Sequence, residues 1–229
     1  KGHRESLLGG EFIKGDLSDT GLLDEIFAHH SIEEVVHMAA DSLVGESVQH
    51  PDKYFYNNVT NGLNLLNAMV RHNARYMVFS STAAVYGEPV ETPITEDHPQ
   101  MPTNPYGESK LFFEKIMARY DVAYGLRHIS LRYFNAAGAS VSGAIGEDHR
   151  PESHLIPIII QVALGQREQV TIFGTDYDTP DGTCVRDYIH VTDLATAHLL
   201  ALDALAGGAE SNVYNLGNGE GFSVREVID

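Results

Sequence analysis

The chain has 229 residues, with 15 Lys and Arg against 32 Asp and Glu, for a formal net charge of −17. That acidity excludes the basic stripe of a nucleic-acid-binding face and the Lys/Arg clusters that engage anionic membrane surfaces. Hydrophobic residues at 43% support a buried core, and the longest apolar stretch, Leu155 to Ile160, is too short to span a bilayer.

Apolar runs of strand length alternate with segments of helical period through the first half. Phe12-Ile13 leads into Gly15-Asp16-Leu17, and Asp19 then caps a helix whose apolar face is Leu22, Leu23, Ile26 and Phe27. Val35 to Ala40 is a near-continuous apolar run, as expected of a strand buried on both faces. Residues 53–73 carry Phe55, Val59, Leu63, Leu66 and Val70 at helical spacing. Tyr76 to Phe79 predicts a second buried strand, ending in Ser80-Ser81-Thr82. A loop rich in Pro, Glu and Thr runs to about Pro105, a helix follows from Tyr106 to about Tyr120, and His128 to Tyr133 reads as the next strand. This order predicts an α/β fold built on a parallel, doubly wound sheet.

After Asn135 the texture shifts to loops containing Gly, Ser and Pro between shorter elements. The patterns predict a helix over 155–164, a strand over 170–173, a helix over 192–205 and a strand over 213–216. The chain therefore divides into a sheet domain over 1–135 and a smaller α/β lobe over 136–229. The lobe is expected over the carboxyl-end crevice, where open α/β sheets bind their ligands. The lone Cys184 excludes an internal disulfide framework or a CxxC site, which fits a reducing compartment and, most simply, the cytoplasm. The first residues, Lys-Gly-His-Arg-Glu-Ser, contain no initiator Met or apolar leader, and the last open an amphipathic helix at Ser223. Both ends read as cuts within a longer protein.

The strongest chemical constellation joins Ser80-Ser81-Thr82 to Tyr106-Gly-Glu-Ser-Lys110. Spacing of four on a helix puts Tyr106 and Lys110 on one face, a turn apart. An ammonium beside a phenol favours the phenolate and gives a base usable near neutrality, while Thr82 at a strand's carboxyl end could share the proton. On spacing alone the pair is an ordinary helix pair; the strand ending in hydroxyls upstream is what raises it above that.

Phe79-Ser-Ser-Thr-Ala-Ala-Val-Tyr-Gly87 followed by Tyr106-Gly-Glu-Ser-Lys110 resembles the extended short-chain dehydrogenase/reductase family. Further stretches are similar to the UDP-glucose 4-epimerases within it. They are Val35 to Ala40 with Val44-Gly-Glu-Ser47, Leu131 to Gly138, Asp181 to Val191, and Tyr214-Asn-Leu-Gly217. The resemblance spans essentially the whole chain, with Asp181–Val191 its most specific part. It implies a Rossmann-type sheet lacking its first βαβ unit, with NAD as cofactor. The reaction it implies is 4-epimerisation of a UDP-hexose, UDP-glucose to UDP-galactose, through a 4-keto sugar.

By the same resemblance Tyr106 is the base, Lys110 tunes it and holds the nicotinamide ribose, and Thr82 relays the sugar 4-hydroxyl proton. Asp16, Leu17, Met38, Ala39, Ala40, Asn58, Ser80 and Phe134 match cofactor positions. Tyr133, Asn135, His154, Leu155, Thr171, Phe173 and Arg186 match nucleotide-sugar positions. A guanidinium fork at Arg186 suits a diphosphate on its own chemistry. The resemblance further implies a homodimer through the helices over 53–73 and 106–120.

Relatives that dehydrate nucleotide sugars carry an Asp-Glu pair directly after the Thr; here Ala83-Ala84 stand there, so elimination lacks its acid and base. The Gly-rich phosphate loop of the family has no counterpart in this sequence, and the piece alone is not expected to retain NAD. Gly217-Asn-Gly-Glu-Gly221 imitates such a loop but reads as a turn. His29-His30, His37 and Asp148-His149 lack zinc spacing, so no metal is expected. UDP-N-acetylhexosamine or UDP-pentose epimerisation, and a catalytically silent nucleotide-sensing module, stay open as alternatives.

Overall fold

The computed structural model describes residues 3–229. A 3-10 turn at Arg4–Ser6 precedes helix α1 (Thr20–His29), strand β1 (Glu34–His37) and helices α2 (Val44–Gln49) and α3 (Pro51–Phe55). A π-helical turn, Tyr56–Thr60, leads into α4 (Asn61–Arg71), then β2 (Tyr76–Thr82), α5 (Pro105–Tyr124) and β3 (Arg127–Tyr133). The rest comprises β4 (Asn135–Ala137), α6 (Leu155–Ala163), β5 (Val185–Arg186), β6 (Tyr188–His190), α7 (Val191–Ala206), β7 (Asn212–Leu216), β8 (Phe222–Ser223) and α8 (Val224–Ile228). Among the described residues no helix is long and apolar enough to cross a membrane.

The chain forms two compact units. The larger contains Phe12–Tyr133 and returns at Thr196–Leu216; the smaller holds the remaining described residues. The chain passes between the units after Glu11, Tyr133, Ala195 and Leu216. The reason is packing: the returning helix and strand carry apolar residues that complete the sheet.

In the larger unit the four strands run in the order β1-β2-β3-β7, all parallel. Residues alternate across β2 and so serve opposite faces. Met77 and Phe79 join Leu23 and Phe27 of α1, Leu65, Leu66 and Met69 of α4, and Phe113 and Met117 of α5. Val78 turns the other way, with Ile129 and Leu131 of β3, onto Ala201 and Leu205 of α7. Both faces of the central strands are thus covered, which is what permits their continuous apolar runs. Full burial of a side chain such as Phe113 contributes roughly 1.5–3 kcal/mol.

Four expectations need correction. The apolar run at Phe12-Ile13 forms no strand, and the run from Val35 to Ala40 yields a β1 that stops at His37. Among the described strands β1 pairs with β2, and Val36 is 38% exposed. The segment over 53–73 is not one helix but α3, the π turn and α4 in succession. No strand forms over 170–173, where β-prone residues lack a pairing partner among the described strands. The helix at Tyr106 starts one residue earlier, with Pro105 in its first turn and the Asn104 side chain accepting from the Gly107 N–H. It runs on to Tyr124 and ends on Gly125 in the left-handed conformation.

In the smaller unit β4 pairs with β6 in parallel and β5 with β8 antiparallel. The Gly217–Gly221 segment is a turn organised by Asp187, whose carboxylate accepts the Asn218 and Gly219 N–H groups at 2.9 and 3.0 Å. Those donors are engaged within the fold, as the turn reading requires.

Candidate active site

The β2 strand ends where its side chains change from apolar to hydroxyl, and each hydroxyl there has a different partner. The Ser81 hydroxyl donates to Glu114 Oε1 at 2.5 Å. Ser80 Oγ lies 3.0 Å from His198 Nε2 on α7 and also hydrogen-bonds Tyr133. Thr82 Oγ1 accepts from the Ala84 N–H at 3.1 Å, starting the short 3-10 turn of Ala83–Val85, and hydrogen-bonds Tyr106. Thr82 pairs in register with Tyr133 on β3, so Thr82, Tyr106 and Tyr133 form one cluster of hydroxyls at the carboxyl end of the sheet.

Helix α5 supplies Tyr106 and Lys110. Lys110 is 4% exposed; its Nζ donates to the Ser80 carbonyl at 2.8 Å and lies 4.7 Å from the Phe79 ring centroid. Burial pushes the ammonium down to about 7, and Glu114 one turn further along pulls it back up. Burial likewise pushes the half-buried Tyr106 phenol up to about 12, the Thr82 hydroxyl draws it down and Tyr133 raises it. The shared helix face is real, but the ammonium is directed to the β2 backbone and the phenol responds to burial first.

A buried network fixes this helix. Arg132 of β3 grips Glu114 with two bonds, Nε at 3.0 Å and Nη2 at 2.5 Å. Its Nη1 donates to the Tyr86 hydroxyl at 2.8 Å, which in turn donates to Asn215 of β7 at 2.6 Å. Both charges are nearly inaccessible, at 3% and 6% exposure. The sequence reading missed Glu114, Arg132, Tyr86 and His198. The available signal was an acid between Phe113 and Met117 on an otherwise inward helix face.

Asn58 owes its position to the π turn, a geometry that recurs at functional sites. Its amide accepts from the Asp41 N–H at 2.8 Å and donates to the Asp41 carbonyl and to Ser109 Oγ, both at 3.0 Å. It thereby ties the segment after β1 to α5. Met38 is 62% exposed, Ala39 is exposed and Ala40 half-buried beyond that strand end. Asp16 is exposed and accepts from the Ser18 N–H and hydroxyl, which hold its carboxyl below the usual range; Leu17 is half-buried.

The larger unit thus brings together Thr82, Tyr106, Lys110, Ser80 and Tyr133. The smaller unit holds Phe134, Asn135, His154, Leu155, Thr171, Phe173 and Arg186. Phe134 is half-buried, and the Asn135 N–H donates to the Asp187 carbonyl at 3.1 Å. His154 is the exposed N-cap of α6 and Leu155 its first residue. Thr171 and Phe173 lie in the loop after α6, Phe173 being 85% exposed. Arg186 is exposed on β5, with its Nη1 on the Val185 carbonyl at 2.8 Å.

Comparison with known proteins matches residues 1–217 to the NAD dependent epimerase/dehydratase family. A UDP-glucose 4-epimerase of Halalkalibacterium halodurans is 59% identical over 229 residues, covering 100% of this chain and 69% of that relative. The crystal structure of UDP-glucose 4-epimerase from Brucella ovis in complex with NAD superposes with a TM-score of 0.96 at 47% identity, covering 99% of this chain and 70% of that one. UDP-glucose 4-epimerase from Bifidobacterium longum in complex with NAD+ and UDP gives 0.89 at 47% identity, covering 93% and 64%.

Proposed function

The chain belongs to the NAD dependent epimerase/dehydratase family, and from that premise we propose that it interconverts UDP-glucose and UDP-galactose in galactose metabolism. The observation that carries this reading is the Thr82–Tyr106 hydroxyl pair at the sheet's carboxyl end, above a buried Lys110. Ala83-Ala84 after Thr82 leave no acid and base for elimination, which favours epimerisation over dehydration.

The residues fit NAD by their chemistry. Among the described residues the buried Lys110 ammonium has one hydrogen-bond acceptor, Ser80, so two of its N–H bonds are suited to ribose hydroxyls. Met38, Ala39 and Ala40, Asp16, Leu17, Asn58, Ser80 and Phe134 would complete the binding. Bound NAD would supply the hydride acceptor and donor that the chemistry requires.

The chain's own residues handle the proton. Tyr106, with Thr82 as relay, takes the proton of the sugar 4-hydroxyl as C4 is oxidised to a ketone. The same pair returns it after the 4-keto sugar has presented its other face for reduction, so electrons and protons balance over the cycle. A phenol held up to about 12 is a poor base at neutrality. The positive charges of bound cofactor and Lys110 are what would bring it down. Arg186, His154, Leu155, Thr171, Phe173, Tyr133 and Asn135 are assigned to the UDP-sugar, with Arg186 on the diphosphate.

We extend the proposal to a homodimer through the surface of residues 53–73 and 106–120. Tyr56 and Phe112, 58% and 46% exposed there, support it.

A coupled assay of the full-length gene product tests the activity. UDP-galactose should be turned over in preference to UDP-N-acetylgalactosamine, with NAD co-purifying. No interconversion of either sugar would contradict the assignment.

A further inference from the structure

Four side chains of one short loop in the smaller unit converge without any role in the reaction above except for His154. Glu147, His149, Glu152 and His154 each offer one ligand atom, and these atoms all lie within 4.8 Å of one another. His154 Nδ1 is 2.7 Å from Glu147 Oε1 and 2.9 Å from Glu152 Oε1. His149 Nδ1 is 3.0 Å from the same Glu147 oxygen and 3.7 Å from Glu152 Oε2. A tetrahedral site with bonds of about 2.0–2.2 Å has ligand–ligand edges of about 3.3–3.6 Å; three of these contacts are shorter than that and one slightly longer, so the side chains would spread a little to seat an ion.

We propose that Glu147, His149, Glu152 and His154 form a zinc-class divalent metal site. The sequence spacing, Glu-x-His-x-x-Glu-x-His over 147–154, is invisible to a search for paired cysteines or a His-x-x-x-His helix. Hydrogen bonding alone accounts poorly for the arrangement. Two imidazole nitrogens face four short or near contacts to carboxylate oxygens, and a single N–H on each can serve one acceptor well. Among the described residues no Lys or Arg pairs with either carboxylate, in a chain of charge −17; the loop's own Arg150 lies on Asp148 instead, at 3.4 Å. One dication at the centre satisfies all four groups. Glu152 Oε1 also accepts the His154 and Ser153 N–H groups, at 2.8 and 2.7 Å, which fixes the carboxylate within the cluster. Two imidazoles select zinc-class ions over magnesium or calcium, which take oxygen ligands.

His154 caps α6 and precedes Leu155, so an occupied site would lock the entry to that helix. Cobalt(II) titration of the full-length gene product tests the proposal, because four-coordinate cobalt absorbs strongly in the visible. The expected result is one saturable equivalent with tetrahedral bands, displaced by zinc and not by magnesium. His149→Ala and Glu147→Gln, both outside the reaction chemistry, should each weaken binding at least tenfold. Their metal-free unfolding midpoints should match the parent, which separates loss of ligand from loss of fold. Absence of tetrahedral bands, or cobalt affinity unchanged in His149→Ala, would overturn the site. Neither readout depends on epimerase activity.

Discussion

Lys110 Nζ donates to the Ser80 carbonyl oxygen at 2.8 Å, so α5 is pinned to the last residues of β2 by the same side chain that we assign to the cofactor ribose. The ammonium therefore has two duties, and its substitution should show both. In the full-length gene product Lys110→Met should lose NAD on purification and lower kcat by about 10²–10⁴, the scale of a displaced general base. Retention of NAD with kcat within threefold of the parent would show that Lys110 serves packing alone.

The Glu114–Arg132 pair is buried and doubly bonded, and breaking it leaves a lone charge inside the protein. Glu114→Ala should cost about 3–5 kcal/mol in urea unfolding. The double variant Glu114→Leu with Arg132→Met should recover most of that loss. Because Glu114 is what pulls Lys110 upward, the conservative Glu114→Gln should move the alkaline or neutral limb of activity governed by Lys110 to lower pH.

Acid stability should trace to His37. It is buried between Phe79 and Phe113, with ring centroids at 5.6 and 5.4 Å. Burial, assisted by the charge on Lys110, pushes it down to about 3 from the ordinary 6.5. The folded protein therefore keeps His37 neutral while the unfolded chain takes up a proton as pH falls. Stability is lost progressively from about pH 6.5 to about pH 3, by at most about 1.4 kcal/mol per pH unit for this one proton. His37→Gln should flatten the fall of the unfolding midpoint in that window. An unchanged slope would mean that other groups set it.

The Asn58 amide joins the Asp41 backbone to Ser109, and nothing in its sequence context marks it as buried. Asn58→Ala strands those groups and should cost about 1–3 kcal/mol. It should also raise the concentration of added NAD needed for half-maximal activity, whereas a purely local role would leave that concentration unchanged.

The parallel sheet was legible because Val35 to Ala40, Tyr76 to Phe79 and His128 to Tyr133 are apolar runs of strand length separated by helical periods. The ends of these elements were less so: the run through Ala40 contains a strand of only four residues, because pairing with β2 ends at His37 and Phe79. The π turn was hidden because Phe55, Val59, Leu63 and Leu66 suit a continuous helix, and one wider turn leaves that periodicity nearly intact. Tyr106, Lys110 and Thr82 could be named from spacing and resemblance. The partner of Lys110 could not, since helix periodicity fixes the face a side chain shares and not the atom it reaches. The return of 196–216 to the sheet unit depends on contacts between residues more than 60 positions apart, such as Leu131 with Ala201, which no local pattern encodes.

The account stands most directly on the phenol of Tyr106. Steady-state turnover of UDP-galactose by the full-length gene product should be compared with that of Tyr106→Phe. We expect kcat to fall by about 10²–10⁴ with bound NAD and the unfolding midpoint unchanged, because only the proton-transferring hydroxyl is removed. A Tyr106→Phe enzyme that turns over UDP-galactose within threefold of the parent would contradict the assignment of Tyr106 as the base.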